Sequence, residues 1–150
     1  MSIKLRNVNK DDCRLLYNWV NDEQVRKSSF KTKKIVYDEH KNWFEEKLNS
    51  NNTKIFILEE SKQNIGQIRI EIDGSSALID YSIDKKYRGK GYGIKIIEII
   101  EKEIKKKLPQ ISTLEAIVKL NNIISQRCFE KNNYNKYLEN KYVLYKKEIS

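Results

Sequence analysis

From Arg88 to Gly93 the chain reads Arg-Gly-Lys-Gly-Tyr-Gly, and these six residues hold three of its five glycines. They lie where an apolar run meets a long helical pattern. Glycines at alternate positions let the backbone turn tightly and bring its N–H groups up to an anion, and a helix starting there aims its positive dipole end at the same point. The chemistry implied is pyrophosphate capture. A dinucleotide fingerprint beginning at Gly89 would need glycine or alanine where Ile94 stands, and a P-loop would need Gly-Lys-Ser/Thr, which does not occur in the chain. The competing reading is a basic turn that only joins a strand to a helix.

A second segment bears on that choice. Arg88, Gly91 and Gly93 follow the spacing Arg-x-x-Gly-x-Gly, and about thirty residues on the chain reads Asn122-Ile-Ile-Ser125-Gln-Arg-Cys-Phe129-Glu-Lys131-Asn-Asn-Tyr134. The two together resemble the cofactor elements of the GNAT family of N-acetyltransferases. That resemblance implies an α/β (α+β) fold: a central mixed, mostly antiparallel twisted sheet, helices on both faces, and a V-shaped splay between the fourth and fifth strands. It implies acetyl-CoA as co-substrate and no metal. The backbone of Tyr81, Ser82 and Ile83 is expected to pair with the pantetheine amides. The backbone from Gly89 through Lys90, Gly91 and Tyr92 to Gly93 is expected to hold the pyrophosphate, with charge added by Arg88 and Lys90. Asn122, Ser125, Phe129 and Lys131 are expected to line the other wall.

Direct attack of a neutral amine on a thioester requires orientation, proton removal, oxyanion stabilisation and thiolate departure. Strand alternation puts Asp80 and Ser82 opposite Ile79, Tyr81 and Ile83, which makes Asp80 the first candidate for the base. Gln67, Arg69 and Glu71 share one face of the preceding strand; Glu71 is the second candidate, and a satisfied polar row is the alternative for all of them. Phe129 stands where many family members carry a tyrosine, so the general acid is unassigned, with Ser125, Cys128, Tyr134, water or unassisted departure of the CoA thiolate as options. His40 lies outside both motifs and is expected to pack.

The elements that must position these groups are legible as patterns. A short strand spans Ile3 to Leu5, and Asp11 or Asp12 is expected to cap a helix with Leu15, Leu16, Trp19 and Val20 on one face. Further helices are expected over Glu23 to Phe30 and Asp38 to Leu48, the latter with Trp43, Phe44 and Leu48 inward. Strands follow at Lys54 to Glu59, Ile65 to Ile72 and Ala77 to Ile83, with turns at Gln63-Asn64 and Asp73-Gly74-Ser-Ser76. A helix beginning at Gly91 or Tyr92 carries Ile97, Ile100, Ile104 and Leu108 and stops before Pro109. Thr113 to Val118 is strand-like, Asn122 to Lys131 helical, and Asn135 to Glu148 forms two strands or a long hairpin.

The 150 residues suit one acetyltransferase domain, 1–150. The net charge is +9, of which nine basic and three acidic residues between Lys85 and Lys107 contribute +6. A coenzyme bearing several phosphates accounts for the part near the glycine loop, and Lys102 to Lys107 read as a solvated face matched to a helix C-terminus. Cys13, Cys128 and His40 lack metal-ligand spacing. No apolar stretch reaches the roughly 20 residues of a membrane span and no signal-peptide pattern is present, so the reading is cytoplasmic, with neither membrane nor nucleic acid as partner.

For the acceptor, Trp19-Val-Asn21-Asp22-Glu-Gln-Val25-Arg26, with Phe30, resembles a segment of the GNAT enzymes that act on amino-sugar nucleotides. This implies a nucleotide-linked amino sugar, with Arg26 or Arg69 on the diphosphate and Trp19 on a planar face. Asn21 and Glu71 complete the expected acceptor set, on a monomer or homodimer. The alternatives are a ribosomal-protein-type N-terminal peptide acetyltransferase and a non-catalytic module binding acyl-CoA or nucleic acid.

Overall fold

The computed structural model describes residues 2–150. Its elements run β1 (Ile3–Asn7), α1 (Cys13–Val20), α2 (Glu23–Ser28), α3 (Tyr37–Leu48), β2 (Thr53–Glu60), β3 (Gln63–Asp73), β4 (Ser76–Ile83), α4 (Tyr92–Lys107), β5 (Thr113–Lys119), α5 (Ile123–Lys131), β6 (Asn135–Leu138) and β7 (Tyr142–Glu148). Short 3-10 turns lie at Lys10–Asp12 and Lys85–Tyr87.

Some boundaries differ from the sequence expectation for identifiable reasons. The β2–β3 turn is at Ser61 and Lys62, both at positive φ, which matches strand twist in a two-residue hairpin. Gln63 and Asn64 are therefore paired strand residues, facing Glu60 and Glu59. Asp12 occupies the N-cap position of α1, as expected, but makes no side-chain cap bond. Its two carboxylate oxygens accept from the Arg6 guanidinium at 2.9 Å each, while Asn9 caps the 3-10 turn before it. Leu48 is half-exposed at the end of α3, and its place inward is taken by His40, with Phe44. α2 ends at Ser28, because Ser29 turns extended and donates its hydroxyl back to the Val25 carbonyl.

The strands form one sheet in the order β1-β2-β3-β4-β5-β7-β6, antiparallel except for the parallel β4–β5 pair. Two cores flank it. On one face Ile68, Ile70, Ala77 and Ile79 meet α4 through Ile96, Ile97, Ile100 and Ile104, and α5 through Cys128 and Phe129. On the other, α1 and α3 place Leu16, Trp19 and Phe44 on Ile55 and Ile57. Covered on both sides, the β2 run Ile55-Phe56-Ile57-Leu58 is buried at every position, whereas β3 alternates. Each such side chain contributes about 1.5–3 kcal/mol by leaving water, so the helices hold this centre of the sheet firmly.

The site depends on where the sheet opens. β4 stays on β3 through Ile83, which faces Gly66, and β5 stays on β7 through Lys119. Between β4 and β5, the pairs among the described residues are Ser76–Thr113, Ala77–Leu114 and Leu78–Glu115. Beyond Leu78 the two strands follow different neighbours and part, leaving a V.

Candidate active site

A cavity of about 950 Å³ fills the V, bounded by Arg88, Gly89 and Gly93 at one end and by Arg69 and Asp80 at the other. Gly89 and Gly91 take φ values of +77° and +88°, a region that favours glycine. Gly91 is the N-cap of α4, and Lys95 N–H reaches back to its carbonyl at 3.2 Å. The amides between them have no acceptor within the helix and are free for an anion. Gly93 allows close packing: a Cβ there would lie 2.9 Å from Cys128 Sγ.

Arg88 is turned inward. Its Nε donates to the Ile83 carbonyl at 3.0 Å and its Nη2 to Asp22 at 2.7 Å, which ties the loop to the N-terminus of α2. Burial raises the Asp22 pKa, but the bonds from Arg88 and Val25 outweigh it and hold the carboxyl below its usual value. The guanidinium expected on a phosphate thus anchors the loop, and Lys90 is the exposed cation there, 6.0 Å from the Tyr87 ring centre. The Tyr92 hydroxyl bonds Glu60.

The walls of the V come from β4, β5 and α5. Asn122 caps α5 by accepting from Ser125 N–H at 3.2 Å. Across the gap the Tyr81 hydroxyl donates to Ser125 Oγ at 3.0 Å. Burial pushes the Tyr81 phenol well above its ordinary value, and burial also raises the Cys128 thiol. Phe129 is a core ring, stacked on Tyr145 at 5.5 Å and edge-on to Tyr81 and Tyr134. Lys131 is exposed at the end of α5, outside the cavity wall, because the helix turns it to solvent. Ser82, on the opposite pleat, accepts from Gln67 at 3.2 Å.

That opposite face carries a second cavity of about 400 Å³, which shares Phe30, Arg69, Ile79, Asp80 and Ile117 with the lining of the V. The Asp80 side chain is 62% exposed, with Arg69 Nη2 at 3.8 Å. Arg69 also lies 3.6 Å from Glu71 and 5.2 Å from the Trp43 ring centre. Glu71 is held by Lys47 at 3.1 Å and Thr53 at 3.3 Å. Phe30 belongs to the segment the sequence reading set on the acceptor side, but that reading missed the rest of the apolar rim, Leu78, Ile117 and Tyr142. Phe30 reaches Tyr142 edge-on at 6.5 Å. Leu78 could have been found by extending the alternation that marked Asp80; the Phe30–Tyr142 contact has no local signal.

Three expected acceptor residues have structural partners instead. Arg26 is buried, with Nε donating to Val20 O at 2.6 Å and Nη1 to Lys31 O at 2.9 Å and Lys33 O at 3.2 Å. Asn21 clamps Ile35 through both its carbonyl and its amide, each at 2.8 Å. Trp19 is buried and donates Nε1 to Asp84 at 2.7 Å. Trp19 and Arg26 still border the 950 Å³ cavity, but the polar atoms through which they would hold a ligand are engaged by these partners. His40 packs on Trp43 and Phe44 with Nε2 3.2 Å from Cys13 O, and burial lowers its pKa.

Residues 2–135 match the model of the acetyltransferase (GNAT) domain. The chain belongs to the GNAT acetyltransferases. Its fold is shared with solved structures of low sequence identity. A domain from Methanocaldococcus jannaschii superposes with a TM-score of 0.85 at 20% identity, covering 98% of each chain. The spermidine N-acetyltransferase of Vibrio cholerae, solved with CoA and spermine, gives 0.82 at 17% identity over 96% of this chain and 92% of that one. An acetyltransferase of Salmonella typhimurium that modifies the N-terminal serine of a 50S ribosomal protein gives 0.82 at 14% identity over 100% and 96%. No curated protein matches this GNAT chain in sequence. Among its described residues no helix is long and apolar enough to cross a membrane, and no cluster of three or more His, Cys, Asp or Glu could hold a metal.

Proposed function

We propose that this GNAT domain, spanning residues 1–150, moves the acetyl group of acetyl-CoA to a primary amine by direct attack on the thioester. The observation that carries the reading is the parting of β4 from β5 after Leu78, which opens a path from the glycine loop to Asp80 on the far face. The pyrophosphate would rest on the amides of Gly89 to Gly93, and the pantetheine arm would lie along the free edge of β4 from Tyr81 to Ile83. That edge presents unpaired N–H groups for the arm and for the oxyanion. The amine would enter through the far-face cavity, where the exposed Asp80 is better placed to take its proton than Glu71, which already serves Lys47 and Thr53.

For the acceptor we infer a nucleotide-linked amino sugar. The Trp19 to Arg26 segment supports it through its resemblance, and two features of the far face support it physically. Arg69 is a cation within reach of a diphosphate, and the Phe30 and Tyr142 rings offer a surface for a base or a deoxygenated sugar face. Arg26 and Trp19 border the same cavity with their polar atoms engaged by Val20, Lys31, Lys33 and Asp84. An N-terminal peptide is the second reading, favoured by the apolar rim beside Asp80. Amino-sugar nucleotides, N-terminal peptides, polyamines and aminoglycosides are to be screened with acetyl-CoA, with free thiol as the readout. Turnover confined to peptides would refute the sugar reading, and tight CoA binding without turnover across the panel would indicate a non-catalytic binder.

A further inference from the structure

The V contains two hydroxyl groups that touch, one from each wall, and the ring at position 129 is a phenylalanine, which has no proton to give to sulfur. We propose that Tyr81 is a positioning residue that aims the Ser125 hydroxyl at the departing CoA sulfur. This rests on the proposed function, since it requires the thioester to lie in the V.

The Tyr81 hydroxyl donates to Ser125 Oγ at 3.0 Å, within the ordinary range for two hydroxyls. Ser125 has one proton and two lone pairs. With one lone pair occupied by Tyr81, and its backbone N–H spent on the Asn122 cap, its remaining donor is the hydroxyl proton, free to turn into the cavity it lines. Tyr81 is itself fixed. Phe129 packs edge-on to its ring at 5.8 Å, and Gly93 lies beside its hydroxyl, close enough that a Cβ there would be in ordinary contact with that oxygen at 3.5 Å. Burial raises the Tyr81 pKa and so favours the protonated phenol, the form that can donate. A hydrogen bond received by Ser125 also makes its own O–H a better donor.

The chemistry balances without transfer of the serine proton. The amine lone pair forms the N–C bond, the C–S bond breaks with its electron pair remaining on sulfur, and the amine proton leaves through Asp80 or water. The thiolate departs hydrogen-bonded to Ser125 and takes a proton from solvent later.

The test uses CoA itself as the probe and needs no acceptor. The thiol of protein-bound CoA is titrated by ultraviolet thiolate absorbance, with the titration of the same variant without CoA subtracted, which removes the protein's own thiols and phenols. In the wild type the bound thiol should titrate about one to two units below free CoA, the scale of one hydrogen bond to a charged group. Ser125→Ala should return it to the free value. Tyr81→Phe should recover at least about half of that shift, and the double variant should match Ser125→Ala, as expected of groups acting in series. Shifts that add in the double variant, a Tyr81→Phe thiol unchanged from wild type, or a wild-type thiol that titrates like free CoA while bound, would each overturn the assignment. Absence of CoA binding by the wild type would instead refute the proposed function.

Discussion

Arg26 separates a ligand-binding residue from a structural one, and the two roles make opposite predictions for Arg26→Met. The substitution keeps an unbranched apolar stem and removes the guanidinium that joins Val20 O, Lys31 O and Lys33 O and bonds Ser29 Oγ at 3.2 Å. A bond from a charged donor contributes roughly 1.5–3 kcal/mol, but Lys31 and Lys33 are exposed and their carbonyls can rehydrate. The net cost should therefore be about 2–3 kcal/mol, well below the sum of the bonds. In a domain of this length that lowers Tm by roughly 4–12 °C. Thermal denaturation followed by circular dichroism measures it, and hydrogen exchange should rise across residues 29–36, the segment that presents Phe30 to the far-face cavity. CoA affinity should be unchanged, since none of these atoms borders the glycine loop. A Tm within about 1 °C of wild type, with unaltered exchange and a selective loss of acceptor affinity, would refute the structural role and return Arg26 to the acceptor.

Asp80→Asn should lower turnover on the order of 10²-fold with CoA affinity nearly unchanged in titration, the low end for loss of a general base; a change within a few-fold at every pH would assign the carboxylate to holding Arg69. Gly91→Asp should abolish most CoA binding measured by calorimetry, because it adds a carboxylate beside the proposed anion site at a φ of +88°; unchanged affinity in a folded variant would remove the loop assignment. Gly93→Ala should destabilise by roughly 0–2 kcal/mol despite alanine's better helix propensity, because the new Cβ meets Cys128 Sγ at 2.9 Å, and Cys128→Ala in the same chain should restore it; equal losses in both backgrounds would show that the contact does not matter. The Asp22 carboxyl has its pKa lowered in the fold, so the stability it contributes is complete above its unfolded value near 3.8 and is lost as pH falls through the lower folded value. Denaturation of wild type and Asp22→Asn should accordingly differ by a constant amount above pH ~5 and converge below 3.8, and a gap that persists in acid would contradict the ion pair with Arg88.

The glycine loop was readable because its requirements are local: positive φ at Gly89 and Gly91 and an uncapped helix start are properties of a few consecutive residues. The faces of β4 were equally readable, since alternation depends only on the pleat, and it correctly separated Asp80 from Tyr81. The α4 helix followed from isoleucines at helical spacing ended by Pro109. What the sequence determined by itself was therefore the GNAT pattern, the glycine turn that starts α4 and the side of the strand each residue occupies. Tertiary structure alone decided which partner each polar side chain takes. Arg26, Arg88 and Trp19 have the donors a ligand site needs, and nothing local distinguishes a diphosphate from the carbonyls of Lys31 and Lys33, the carboxylate of Asp22 or that of Asp84. Tyr81 and Ser125 are 44 positions apart, and they meet because β4 leaves β5 after Leu78 while α5 packs back across the gap. Hydrogen-bond partners are selected by three-dimensional proximity and burial, whereas turn chemistry and periodicity act within one element; the strand partners that open the V belong to the first kind, the loop at its mouth to the second.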